Sequence, residues 1–262
     1  MQSKQVTIII PNFKTYDLTK ICLRLIRKNT DLSKAHIIVV DNNSNDNSTR
    51  YLKTLKWIEF IHRKGISNES GPMSHARALD LGLKRVKTPY VAVIHTDTFV
   101  IHPDWLEYIL KSFNDKNVAG VGSWKLEHKN FIKKIGEKIE YIIKRLFKAK
   151  INKERFNKDY HYLRSHCAFY RTKYIKLVKS SFSDRNESPG KVLHEKLKKA
   201  GYKMIFLESK ELLNYVDHVN HATLAINRMK KKKADKKALK KILNFYKRKD
   251  VIDVIDDESL DN

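Results

Sequence analysis

The first 125 residues alternate short apolar runs with amphipathic stretches, and this alternation constrains the fold more than any other feature of the chain. The runs "VTIII" (6–10), "HIIVV" (36–40), "IEFI" (58–61), "YVAVI" (90–94) and "VAGVG" (118–122) are β-branched and nearly continuous in apolar character. That is the pattern of strands buried on both faces. Between them, residues 16–28, 47–56, 72–86 and 103–113 carry apolar side chains at a spacing near 3.6, with Leu18, Ile21, Cys22 and Leu25 on one face of the first. Strand and helix in turn predict an α/β fold, a mostly parallel sheet with helices on both faces. Such sheets collect ligands beyond the carboxyl ends of their strands. Four places are thereby singled out: Pro11-Asn12-Phe13, Asp41-Asn42-Asn43-Ser44, His62-Arg63 and His95-Thr96-Asp97.

The second half is less regular. "SHCAFYRTKYIKLV" (165–178) reads as a strand then a helix, and "KVLHEKLKKAGYKMIFL" (191–207) as a helix stopped near Gly201 and followed by a strand. "LLNYVDHVNHAT" (212–223) reads as a further strand-like run. Three portions are expected: a ligand-binding half over 1–125, a second half over 126–225 that completes the cleft, and an extension over 226–262. Residues 129–150 place Ile132, Ile135, Ile139, Ile142 or Ile143, and Leu146 on one stripe with lysines elsewhere, a basic amphipathic helix. It has two fates open to it, docking on its own core or lying on a membrane surface.

Charge sharpens that choice of partner. The chain has 54 basic and 29 acidic residues, a net charge of +25. Residues 129–164 contribute +8 and residues 228–249 contribute +11, so the excess is concentrated. A field of this kind suits an anionic partner, whether nucleic acid, anionic lipid or a phosphorylated substrate, although a solvated lysine-rich helix face would look the same. The closing "DVIDDESLDN" reverses the sign and reads as a frayed acidic tail. No apolar run reaches the length of a membrane span, and the opening apolar stretch is too short for a leader. Cys22 and Cys167, both in apolar surroundings, are read as buried thiols in a reducing compartment. The expected location is cytoplasmic, with peripheral attachment at the inner face of the membrane as the setting that suits the basic helix.

The candidate site residues each carry an ordinary alternative. Asp41 ends a strand and precedes "NNSNDNST", so it either belongs to a turn capped through Ser44, Asp46 or Asn47 or accepts hydrogen bonds from a ligand. Asp97 either caps the helix that follows or offers oxygen to Mg²⁺ or Mn²⁺. His95 lies two residues earlier and projects to the same side of an extended strand. His218 and His221, beside Asp217, are either turn residues or metal and phosphate contacts. Asp184 and Glu187 precede a helix and are either caps or a general base. Dinucleotide and Walker-type phosphate loops are absent from the sequence, as are paired Cys-x-x-Cys motifs and a Gly-x-Ser-x-Gly elbow. Phosphate binding therefore requires a metal with basic side chains.

In order, "VTIIIPNFKTYDLTKICLRLI" (6–26), "HIIVVDNNSNDNST" (36–49), "GPMSHARALDLGLKRVKTPYVAVIHTDTFVIHPDWL" (71–106), "CAFYRTKYI" (167–175) and "KLKKAGYKMIFL" (196–207) resemble the family 2 glycosyltransferases with the GT-A fold. The likeness covers about residues 5–225. It implies a Rossmann-like sheet with a C-terminal acceptor-side portion and a nucleoside-diphosphate sugar held in the first half. Pro11, Asn12, Phe13 and Asp41 are then expected against the nucleoside, and Ser74, His75 and Arg77 near the diphosphate. The family's Asp-x-Asp binds a divalent cation, Mn²⁺ or Mg²⁺; its second carboxylate falls on Asp97 and its first on His95, with Thr96 between. His218 or His221 is expected to reach the metal.

A second departure from the family pattern concerns the base. Where its acidic pair would stand, before the helix that ends in "KAGYK", this chain has Pro189 and Gly190, which leaves Glu187 as the implied base and Asp184 in reserve. The implied reaction is transfer of a hexosyl or pentosyl group to an acceptor hydroxyl with inversion. A surface-glycan or lipid-linked saccharide is the expected acceptor. Two other readings stand: glycosylation of hydroxylated bases in DNA, which the charge favours, and a non-catalytic nucleic-acid or membrane-binding protein on a degenerate scaffold.

Overall fold

A computed structural model describes residues 4–126, 158–219, 222 and 236–262. The basic helix expected over 129–150 and His221 lie outside the described residues. Five strands form where the apolar runs predict them: β1 (Val6–Asn12), β2 (Ala35–Asp41), β3 (Glu59–His62), β4 (Tyr90–Ile94) and β6 (Val118–Gly122). Between β4 and β6 lies a short strand that periodicity does not signal, β5 (Thr98–Val100). Helices α1 (Tyr16–Asn29), α2 (Asn47–Thr54), α3 (Gly71–Leu83) and α4 (Trp105–Leu110) fill the intervals. Asp46 caps α2 by accepting from the Ser48 amide, and Ser70 caps α3 by accepting from Met73.

The pleat divides each apolar run between two cores. Ile8, Ile10, Ile37, Val39, Ala92 and Ile94 pack with Leu18, Ile21, Cys22 and Leu25 of α1. Ile9, Ile38, Val40, Val91 and Val93 pack with Met73, Ala76 and Leu79 of α3 on the opposite face. A strand that buries both sets of side chains has no polar alternation to display, which accounts for the continuous apolar runs.

Among the described residues the main sheet has seven strands, ordered β3-β2-β1-β4-β7-β6-β8, with β7 (Cys167–Arg171) and β8 (Lys203–Phe206) supplied by the second half. All run parallel except β7, which is antiparallel to both β4 and β6. Because Ile94 pairs with Cys167, the segment entering β7 arrives at the edge where β4 leaves. Gly122 permits the close approach there: a Cβ on it would stand 2.6 Å from the Cys167 carbonyl oxygen. Among the described residues of this half the helices are α5 (Thr172–Leu177), α6 (Lys191–Lys199) and α7 (Ser209–Leu212).

A separate two-stranded ribbon joins β5 to β9 (Val216–His218), antiparallel, with Thr98 opposite His218. Helices α8 (Lys236–Tyr246) and α9 (Lys249–Asp256) follow, and the acidic end does not fray. Val251 and Val254 are buried, and the fully buried Arg24 of α1 donates to the Val254 and Ile255 carbonyls and to both oxygens of Asp261. The tail holds because it brings a carboxylate to a buried guanidinium. No helix among the described residues is long and apolar enough to cross a membrane.

Candidate functional site

Strand register brings His95, Asp97 and His218 together. β4 ends at Ile94, the chain turns, and β5 pairs with β9 so that the Val219 amide donates to the Asp97 carbonyl at 3.0 Å. His218 Nε2 then lies 3.5 Å and His95 Nδ1 3.7 Å from Asp97 Oδ1. The three candidate ligand atoms fall within 4.8 Å of one another. The 3.5 and 3.7 Å separations exceed hydrogen-bond length. They are near the spacing of two donors that each stand ~2.1 Å from one cation. Asp97 is 4% exposed, and its Oδ1 has no hydrogen-bond partner among the described residues. A buried carboxylate oxygen facing two imidazole nitrogens fits a divalent cation and is otherwise costly.

Neighbouring groups fix these rings. His95 Nε2 lies 2.9 Å from Ser165 Oγ, and His75 packs edge-on against His95 with centroids 4.6 Å apart. His166 stacks on His218 at 4.7 Å and makes a 2.8 Å hydrogen bond with Ser123 Oγ through its own Nε2. Burial, with His95 adding to it, pushes His75 down to about 3, and burial likewise holds His166 well below its usual value, so both rings are neutral near pH 7. Burial opposes ionisation of Asp97, but His218 and His95 outweigh it and hold the carboxyl below the usual range.

A second network joins the ends of β1 and β2. Asn12 Nδ2 donates to Asp41 Oδ1 at 2.8 Å, Ser48 Oγ at 2.9 Å and Ser44 Oγ at 3.1 Å, and Asn12 Oδ1 accepts from Thr19. Thr49 donates to Asp41 Oδ2 at 2.7 Å, with His62 Nδ1 at 3.1 Å. Asp41 is fully buried, and both its oxygens are used inside the protein. Above this network Lys14, Thr15, Tyr16, Asp46, Asn47 and Arg50 line a groove of about 580 Å³. Phe13 is 43% exposed beside it in sequence. Thr15 Oγ1 lies 3.3 Å from Thr96 Oγ1, so the groove adjoins the Asp97 corner.

The start of α3 supplies a third group. Ser74 Oγ accepts from Asn42 at 2.7 Å and lies 3.3 Å from Arg63 Nη1. Glu69 binds Arg63 through both oxygens, at 2.7 and 2.8 Å, and Arg77 at 2.8 Å. Asp184 and Glu187 do not join the Asp97 cluster. Lys196 and Ser180 hold Asp184 Oδ2 at 2.6 and 2.8 Å and lower its pKa, whereas the half-exposed Glu187 meets Lys191 at 3.4 Å. Sequence reasoning missed Glu69, Ser123, Ser165 and His166. Ser165 and His166 stand in the strand-entry motif quoted above, but their role depends on β7 running antiparallel.

Residues 7–178, about two thirds of the chain, match the family described as Glycosyl transferase family 2. Among solved structures, the fold is similar to a mannosyltransferase, PcManGT of Pyrobaculum calidifontis, in complex with GDP-Man and Mn²⁺. That likeness has a TM-score of 0.55 and 16% identity, covering 79% of this chain and 55% of that one. It is similar also to S. aureus TarS, with a TM-score of 0.56 and 13% identity over 84% of this chain and 62% of the other. Glucosyl-3-phosphoglycerate synthase of Mycobacterium tuberculosis, in complex with Mn²⁺, UDP and phosphoglyceric acid, gives 0.53 and 13% over 79% and 69%. At these identities the likeness is one of fold. The chain spans less than two thirds of the length of the first two. No curated protein matches the sequence significantly.

Proposed function

The chain belongs to glycosyl transferase family 2, and from that membership we propose that it moves a sugar from a nucleoside-diphosphate sugar to an acceptor hydroxyl, with inversion and assisted by Mn²⁺ or Mg²⁺. The observation that carries this reading is the buried Oδ1 of Asp97, which accepts no hydrogen bond from the described residues and faces His95 and His218 at the carboxyl edge of the sheet. A divalent cation held by Asp97, His218 and His95 would neutralise the diphosphate as it leaves.

The nucleoside is assigned to the groove beyond β1 and β2 that Lys14, Tyr16 and Arg50 line, with Pro11, Asn12 and Phe13 immediately before it in the chain. Asp41 acts there as a positioning residue, since it holds Asn12, which in turn donates to Ser44 and Ser48 of the following turn. Ser74 and Arg77 face the diphosphate side, where Arg63 and Arg77 share the single carboxylate of Glu69 and so retain positive charge. His75 wedges His95 from behind, and Thr96 ties the Asp97 loop to Thr15. For the base we assign Glu187 ahead of Asp184: a carboxylate already bound to Lys196 and Ser180 is a poor proton acceptor, and among the described residues Glu187 makes a longer contact, to Lys191.

The acceptor is a surface-glycan or lipid-linked saccharide at an anionic surface, a choice supported by the net charge of +25. The test is turnover of a panel of nucleotide sugars with and without Mn²⁺, followed by product mass on candidate acceptors. Donor turnover that disappears in Asp97→Ala supports the reading. Absence of both turnover and nucleotide binding under every condition overturns it. Salt-dependent binding to duplex DNA with no binding to anionic vesicles would move the acceptor to DNA.

A further inference from the structure

The corner described above contains two imidazoles and one carboxylate, and this composition bears on which cation it takes. Hard cations such as Mg²⁺ favour oxygen ligands and keep much of their water, whereas nitrogen donors favour Mn²⁺, Co²⁺ and Zn²⁺ in rising order. His95 changes the balance, because with it nitrogen donors outnumber the single carboxylate. Its ring is held for the purpose. Ser165 Oγ engages Nε2 at 2.9 Å, which turns Nδ1 toward Asp97, and His75 closes the space behind. His218 is fixed in turn by the stacked His166. These contacts orient both nitrogen donors before a cation arrives.

We infer that His95 is a metal ligand and a specificity determinant, making this corner a His-Asp-His centre that selects a transition-metal dication, Zn²⁺ or Co²⁺ above Mn²⁺, and discriminates against Mg²⁺. The inference rests on the cation-assisted reading of the site, but it concerns affinity and not turnover. His95→Asp is the diagnostic change, since it exchanges a nitrogen donor for an oxygen donor at the same place.

The experiment uses the full chain stripped with chelator and titrated with Co²⁺, whose visible absorption reports nitrogen ligation, and with Mg²⁺ by calorimetry; circular dichroism checks folding. In the wild type, Co²⁺ is expected to bind about 1,000-fold or more tightly than Mg²⁺, with a visible band that Zn²⁺ abolishes by competition. His95→Asp is expected to reduce that ratio at least about tenfold and weaken the band, while Mg²⁺ binding persists or improves. If His95→Asp fails to fold, His95→Gln serves, and the expected loss is in Co²⁺ affinity with Mg²⁺ affinity nearly unchanged. An unchanged ratio in the folded variant, or wild-type Mg²⁺ affinity within about tenfold of Co²⁺, overturns the inference. A parallel titration with UDP and GDP separates it from the broader reading: nucleotide binding with an unchanged metal ratio sinks only the metal assignment, and selective Co²⁺ binding without nucleotide binding sinks only the glycosyltransferase reading.

Discussion

At the scale of single residues, two buried carboxylates at the carboxyl edge of the sheet, on either side of β1, do different work. Asp97 has an oxygen that accepts no hydrogen bond from the described residues, whereas Asp41 has none to spare. Asp97 should therefore be legible in binding. A cation at ~100 times its Kd stabilises a folded protein by about 2.7 kcal/mol, and for a chain of this size that corresponds to about 5–10 °C in Tm. Thermal denaturation with saturating Mn²⁺ should show that rise for the wild type and none for Asp97→Ala. Asp41→Ala should instead be read in stability. It leaves Thr49 and His62 without their buried acceptor and takes one acceptor from Asn12, a loss of about 2–4 kcal/mol measurable by urea unfolding, together with weakened nucleotide binding. Equal stability of Asp41→Ala and the wild type would refute its positioning role. Sequence alone pointed to both carboxylates because each follows a buried strand. It could not divide their roles, since the division depends on Asn12 and Thr49 reaching one and not the other.

At the scale of elements, the site depends on pieces too short for periodicity to reveal. The long strands of the first half were readable because burial on both faces makes them continuously apolar. β5 and β9 have three residues each, and their pairing spans more than a hundred residues of chain, so no local pattern announces them. The reversed direction of β7 was equally silent, and with it the arrival of Ser165 and His166. The ribbon is braced from behind: Phe245 of α8 stacks on Phe99 of β5 at 4.0 Å, and Arg248 donates to Asp217, the neighbour of His218. Phe245→Ala should cost about 3–5 kcal/mol in unfolding free energy. It should also weaken cation binding by about tenfold or more, because it loosens the support beneath two of the proposed ligands. Stability loss without any change in metal affinity would show that the ribbon is rigid without this brace. On the other side, Gly122→Ala would press a methyl group into the Cys167 carbonyl and cost about 1–3 kcal/mol, readable as a lowered Tm.

At the scale of the whole molecule, the chain's last residues are tied to its first helix. Composition suggested a solvated acidic end, since "DVIDDESLDN" is charged and follows a basic run. What composition concealed was Arg24, a cation placed among the apolar residues of α1 and left with 0% exposure. A buried guanidinium requires a carboxylate and carbonyls, and Asp261 with Val254 and Ile255 supplies them; Tyr51 also donates to Asp261 at 2.6 Å. Burial raises the Asp261 pKa, but Arg24 and Tyr51 outweigh it and the carboxyl stays below its ordinary value. The folded chain thus binds fewer protons at Asp261 than the unfolded chain does. Its contribution is present in full above the unfolded carboxylate pKa of about 3.9 and is lost as pH falls through the lower folded value. Removing Asp261 strands Arg24, so Asp261→Asn should destabilise the protein by about 2–4 kcal/mol at pH 7. The gap in Tm between wild type and Asp261→Asn should narrow as pH is lowered below about 4, since protonation then makes the wild-type side chain neutral as well. A gap that stays constant down to pH ~3 would mean that the carboxylate charge contributes nothing and that shape alone holds the tail.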